Sequence, residues 1–396
     1  MKKTLIVVLI SIMTSSVKAF DNDYSINPTN FNTENFLDLN KAEFPEWLNA
    51  PWYASDNGWR ISSHSLTSDL TYLHTQVKLH QSLSDYAAMR LNYDQEIIYA
   101  DKEVQPPELE FEVRPVPKYP ATFSIIGAFQ YDKSNSEQGF ALTYGDRKKN
   151  FIRYSSMNID KYHNQKTSDN SEYIIYPYTN ILEGAYHWSN KLNARFKYTE
   201  FTPMEFLFDN QVTNFKHEGN QYDAFVKYKR NENNHFKIRM KGFEIDKSLT
   251  GTTDQAQTIK YDSVDIKWLA RQQHAYKLGF GLRYDDFQND IVSTITSSTV
   301  LDYPYSMNQI YSTVTHAYSD QGTWELGLYA GIAKEPTDAL NNDADNKGIP
   351  ETKLNYVWSY SSKNKKSVVF LHISFNLDNF SEDPGDGGGL TYQSTF

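Results

Sequence analysis

Alternation of apolar and polar residues recurs along this chain in segments of about nine to thirteen residues, the length at which a tilted strand crosses a bilayer. In "YKLGFGLRYD", Tyr276, Leu278, Phe280, Leu282 and Tyr284 share one face, and Lys277, Gly279, Gly281, Arg283 and Asp285 share the other. In "VVFLHISFNL", Val369, Leu371, Ile373, Phe375 and Leu377 oppose Phe370, His372, Ser374 and Asn376. The pattern repeats in "ATFSIIGAFQYD", "QYDAFVKYKR", "HFKIRM", "TWELGLYAGI" and "KLNYVWSY". A period of two is that of a β-strand with one apolar face. The apolar faces begin or end on Tyr, Trp or Phe, as the aromatic girdles of a membrane barrel require.

Composition agrees with this pattern. Aromatic residues make up 15% of the 396 residues, yet the mean hydropathy is −0.65. Many half-apolar strands with one wet face reconcile the two values. With no cysteine in the chain, disulfides, thiolate metal sites and cysteine nucleophiles are excluded. The first 19 residues carry Lys2 and Lys3, an apolar stretch from Leu5 to Met13, and small residues Val17 and Ala19. This is the pattern of a secretory signal peptide, with cleavage expected between Ala19 and Phe20. Removing Lys2, Lys3 and Lys18 leaves 36 basic against 49 acidic residues, a balance of −13, so nucleic acid is not an expected partner. Beyond residue 19 no run approaches the roughly 18 apolar residues of a transmembrane helix.

Connections between the expected strands alternate in length. Tight turns fall near Ser84, 117–118, 147–149, Asn190, 231–233, 272–273, 319–321 and 363–365; long ones span 160–177, 202–219, 287–303 and 334–352. Short turns and long loops mark opposite sides of a bacterial barrel. With both ends on the short-turn side, Gly58–Thr67 becomes the first strand and 388–396 the last. The expectation is an all-β, transmembrane, antiparallel up-and-down β-barrel of about 18 strands, or 16 if one hairpin is wrongly split. Its parts are a signal peptide (1–19), an N-terminal periplasmic or plug segment (20–57) and the barrel (58–396).

Taken together, the signal peptide, the alternating strands and terminal Phe396 resemble those of Gram-negative outer-membrane β-barrel proteins of porin-like size. The resemblance implies passage through the periplasm, insertion by the barrel-assembly machinery, and contact with outer-membrane lipid and lipopolysaccharide; an oligomer is compatible with it. Leu390, Tyr392 and Phe396 then act as the assembly signal. Ser394 occupies a position where an apolar residue is usual.

The polar faces suggest function. On 220–245 they carry Lys227, Lys229, Lys237, Arg239 and Lys241; on "ELEFEVRPV" they carry Glu108, Glu110, Glu112 and Arg114. Opposed basic and acidic rows across a water-filled pore set ion and solute preference. Such charges also solvate a wall or pair with each other. The leading expectation is a channel for small polar or anionic solutes. A structural barrel that sheathes a partner, such as an electron carrier or exported polymer, is one alternative. A barrel hydrolase using His74, His80 or His316, with the Asp285–Asp286 pair at a strand end, is the other. No spacing marks a catalytic site, and no enzyme activity, cofactor or metal is expected. "NNDADNKGIPE" fails the calcium-loop pattern, with Lys347 in a ligand position. In residues 20–57, Pro45 and Pro51 interrupt a short helical pattern and Trp47, Trp52 and Trp59 cluster nearby; a rim helix and a lumen plug are both open readings.

Overall fold

The computed structural model describes residues 57–66, 72–98, 101–104, 108–116, 118–128, 137–146, 150–158, 172–174, 178–189, 191–207, 214–231, 233–251, 254–271, 276–293, 295–297, 299–334, 348–364, 366–378, 380–381 and 385–395. Side chains of some further strand positions, Glu108 and His74 among them, lie outside the described set. Ala19, Phe20, the 20–56 segment, most of the Asp-rich stretch and Phe396 lie outside it too.

Among the described residues twenty strands form one sheet: β1 (Gly58–Leu66), β2 (Tyr72–Ser84), β3 (Ala87–Ile98), β4 (Asp101–Val104), β5 (Glu108–Val113), β6 (Ala121–Ala128), β7 (Glu137–Gly145), β8 (Phe151–Asn158), β9 (Glu172–Ile174), β10 (Tyr178–Ser189), β11 (Leu192–Leu207), β12 (Asn214–Asn231), β13 (Asn234–Thr250), β14 (Gln255–Arg271), β15 (Tyr276–Ser293), β16 (Thr299–Ala317), β17 (Gly322–Lys334), β18 (Gly348–Ser361), β19 (Ser367–Asn376) and β20 (Gly385–Thr395). β4 and β5 both pair with β3 and form one interrupted stave, as β9 and β10 do against β11. The wall therefore has 18 staves, all antiparallel to their neighbours. It closes where β1 pairs with β20, from Gly58 opposite Thr395 to Ser65 opposite Gly388. Eighteen strands spaced about 4.8 Å apart and tilted about 40° enclose a cylinder roughly 36 Å across at the backbone, wide enough for an aqueous interior.

Burial is inverted relative to a water-soluble protein. Leu282, Ile310, Ile332 and Phe280 are exposed, while Arg283, Lys267, Glu183, Gln309, Asn289 and His372 are buried. Polar side chains point inward and apolar ones outward into the space that lipid fills, which is the arrangement of a membrane-spanning barrel. Aromatic rings gather on the outer face near the short-turn end. Tyr276 stacks on His316 at 4.3 Å, Trp268 on Phe280 at 5.9 Å and Trp358 on Tyr360 at 6.1 Å.

Two sequence expectations require correction. The connections expected at 202–219 and 287–303 are mostly strand: β11 runs to Leu207, β12 starts at Asn214, β15 runs to Ser293 and β16 starts at Thr299. The reason is a change of surroundings along each strand. On β15 the outward residues are apolar to Tyr284, then become Asp286, Gln288 and Asp290, while the inward ones become Phe287 and Ile291. No register shift interrupts the β14–β15 pairing, so the apolar residues change face while the backbone continues. A strand leaving lipid for water on its outer side loses the reason for an apolar outer face, and in sequence this looks like a strand end. Asp285 and Asp286 consequently sit within β15, pointing in and out respectively.

The seam carries its own aromatic contact: Trp59 and Tyr392 meet on the outer face at 4.7 Å and 46°. Leu390 also faces outward beside them, opposite Leu371 and Ser63. Replacing Tyr392 by Ser removes a pair worth about 0.5–1.5 kcal/mol. The folded band on an unboiled SDS gel is expected to convert to the unfolded one at a lower temperature; an unchanged transition would show that the contact does not hold the seam.

Candidate functional site

The register that points Phe236, Ile238 and Met240 outward points Lys237, Arg239 and Lys241 inward. Val226 and Tyr228 face out on β12, so Lys227 and Lys229 face in. Lys227 lies directly opposite Lys237, and Lys237 directly opposite Lys267 of β14, making a lysine row across three adjacent strands. Arg195 and Lys197 continue the basic inner wall on β11, between outward Ala194, Phe196 and Tyr198. Sequence reading missed Lys267, Arg195 and Lys197, although "LNARFKYTE" and "DIKWLAR" carry the alternation that places them. Its five cations on β12 and β13 are all on this inner wall.

Several of these cations have close anionic or aromatic neighbours. Arg239 donates from Nε and one terminal nitrogen to Asp223 at 3.1 and 2.6 Å. Lys267 Nζ is 3.6 Å from Glu325 and 5.7 Å from the centre of the Tyr311 ring, and Lys241 Nζ is 5.4 Å from that of Tyr261. One glycine shapes this part of the wall. A Cβ on Gly281 would lie 2.1 Å from Tyr311 Cζ, so the missing side chain is what lets the Tyr311 ring lie flat across β15. From there Tyr311 stacks on Tyr329 at 4.8 Å and its hydroxyl donates to Asp265 at 2.5 Å. Deeper in the same wall, Arg283 pairs with Asp285 at 2.7 Å and the Tyr261 hydroxyl donates to that carboxylate at 2.7 Å.

The acidic residues on β5 lie six and seven staves from β12 and β13 in the 18-stave wall, on the opposing side of the interior. Glu110 and Glu112 are drawn into a chain of ion pairs. Arg90 reaches Glu110 at 3.1 Å and Glu112 at 3.0 Å; Arg153 reaches Glu110 at 3.1 Å and Glu183 at 3.0 Å. The bridge from Arg153 to Glu110 crosses two intervening staves. It can do so because Ser124, Ala141 and Ser155, small residues in one pairing row, leave the wall low there. The chain Glu112–Arg90–Glu110–Arg153–Glu183 therefore ties β3, β5, β8 and β10 together across the short strands β6 and β7. The opposed-row expectation thus meets a basic wall on β11 to β14 and an acidic wall whose Glu110 and Glu112 are held by arginines.

Of the histidines considered for hydrolysis, the two whose side chains are described, His80 and His316, are not brought together. His80 is buried on the inner face of β2, and His316 faces outward between Tyr276 and Trp324.

No protein-family model matches the chain, and no curated protein matches it. Among solved structures it is similar to OccK8 (OprE) of Pseudomonas aeruginosa, with 8% identity over 86% of this chain and 98% of that one and a TM-score of 0.46. OccAB2 of Acinetobacter baumannii has 10% identity over 86% and 97%, with a TM-score of 0.42. A loop-deletion mutant of OmpT, an outer membrane protein of Vibrio cholerae, has 8% identity over 86% and 97%, with a TM-score of 0.35.

Arg153 is shared by two carboxylates in a poorly hydrated wall, so Arg153→Gln removes one of the two guanidinium groups on Glu110 and the Arg153 contact of Glu183. The expected cost is about 1–3 kcal/mol, below the full value for a dry interior because one side of the wall faces the lumen. Denaturant unfolding in detergent measures it, and adding Glu110→Gln with Glu183→Gln is expected to recover most of the loss. Additive losses would mean that the chain of ion pairs does not act as a unit.

Proposed function

We propose that the barrel is a channel of the Gram-negative outer membrane that admits small polar solutes and favours anions. The observation that carries this reading is the lysine row Lys227, Lys237 and Lys267 on the inner wall, flanked by Lys229, Arg239 and Lys241. Like charges directly opposite one another in a sheet destabilise it. A wall that keeps three such residues abreast holds a positive potential in a confined aqueous space, which raises the local concentration of anions. The opposing acidic residues do not cancel this field, since Glu110 and Glu112 are satisfied by Arg90 and Arg153. Carboxylates, phosphates and uncharged hydroxylated solutes of small size are the classes such a wall accommodates. Export by a signal peptide cleaved after Ala19, and recognition of Leu390, Tyr392 and Phe396 by the assembly machinery, complete the reading.

Reversal potential under a salt gradient in a planar bilayer tests it. The expected current is anion-selective, and Lys227→Gln, Lys237→Gln and Lys241→Gln together shift the reversal potential toward cation selectivity. A current without anion preference, or a preference that these changes leave untouched, would contradict the reading. So would absence of current both from the intact chain and from a chain lacking residues 20–56.

A further inference from the structure

The inner wall has an apolar region that the channel reading leaves unused. Above Lys241, β13 continues inward with Phe243 and Ile245, which pack against Ile259, Tyr261, Phe287, Tyr305, Met307 and Ala333. The last six are 0–3% exposed. Strand packing among the described residues runs between barrel neighbours, so this wall is one sheet thick. Large side chains on the inner face of a single sheet around a wide lumen reach such burial only under a second layer.

We propose that the segment 20–56 of the same chain supplies that layer, lying inside the barrel with Phe36, Leu37, Leu39 and Trp47 on the Phe287 cluster and its carboxylates along Lys237 and Lys241. Three observations select this occupant. The longer stretches between strands that lie outside the described residues carry few apolar side chains: "FQYDKSNS" (129–136), "IDKYHNQKTSDNS" (159–171) and "EPTDALNNDADNK" (335–347). Residues 20–56 instead hold a dense set of aromatic and aliphatic side chains. They also carry Asp21, Asp23, Glu34, Asp38, Glu43, Glu46 and Asp56 against the single cation Lys41, complementary to the basic wall. Finally, the segment joins β1 at Gly58, on the short-turn rim, and 37 residues span more than 50 Å even if wholly helical, at about 1.5 Å per residue. Strand β15, 18 residues tilted about 40°, rises roughly 45 Å, so the segment can reach the cluster.

Docking of this kind narrows the lumen along one wall and covers part of the lysine row. It does not rest on the solute reading; its effect on current does. Carbodiimide treatment of the intact protein, followed by peptide mass spectrometry, tests the contact directly. Amide links are expected between Glu34, Asp38, Glu43 or Glu46 and Lys237 or Lys241. They are expected to diminish when Phe36, Leu39 and Trp47 are replaced by Ser, and the conductance of that variant to rise at least about twofold as the lumen clears. Links from these lysines to carboxylates of 335–347 instead, or to a second copy of the chain, would overturn the proposal. So would no link from the segment at all. If the links form but neither form conducts, the docking stands and the channel reading falls.

Discussion

The pairing of Gly58–Leu66 with Gly385–Thr395 is the interaction on which the rest of the structure depends. Until β20 finds β1, each presents a row of amide and carbonyl groups to hydrocarbon, and each unsatisfied group there costs several kcal/mol. Closure fixes the stave number at 18, which in turn sets a diameter too large for inward side chains to fill. The polar inner faces follow from that width, since only water or a second layer of chain can occupy the space they meet. Trp59 and Tyr392 reinforce the seam from the lipid side. Gly387, Gly388 and Gly389 explain the composition of the last strand. Gly388 sits so close to β19 that a Cβ would lie 3.0 Å from the His372 carbonyl oxygen, and Gly387 adopts a positive φ of 140°.

Within the closed wall, two solutions to holding charge coexist. The side built from short strands is strapped by alternating arginine and glutamate, each guanidinium shared between two carboxylates. The side built from long strands instead stacks lysines abreast and leaves several of their neighbours aromatic, with Tyr311 laid over Gly281 and Tyr261 under Lys241. The first arrangement satisfies its charges internally and serves stability. The second gathers cationic side chains on one part of the inner wall, the asymmetry on which the proposed selectivity rests.

Much of this was legible in the sequence because lipid imposes a period of two that no other environment enforces over so many segments. Leu278, Phe280, Leu282 and Tyr284 announced an outer face, and with it the inward placement of the alternating Lys237, Arg239 and Lys241 on β13. The same signal failed above the lipid. Phe287 and Ile291 fall in the opposite phase from Tyr284, and without a bulge to mark the change they read as a loop. The ion pairs were hidden for a different reason. Arg153 and Glu110 are 43 positions apart and separated by two staves, and only the low row Ser124, Ala141 and Ser155 brings them within reach. Pairing over such distances depends on closure and register together, and neither is encoded in a local pattern.

The central claim is that the outer face of a single uninterrupted strand passes from lipid to water near Tyr284. Because the chain contains no cysteine, one spin label at a time can be placed at each position of β15 from Tyr276 to Ser293 in bilayers, and its collisions with oxygen and with a water-soluble nickel complex measured. The account predicts high oxygen and low nickel accessibility at Leu278, Phe280 and Leu282, reversing to high nickel accessibility at Asp286, Gln288 and Asp290, with Phe287 and Ile291 shielded from both. Lipid-like accessibility at 286, 288 and 290, or loss of alternation beyond Tyr284, would contradict it.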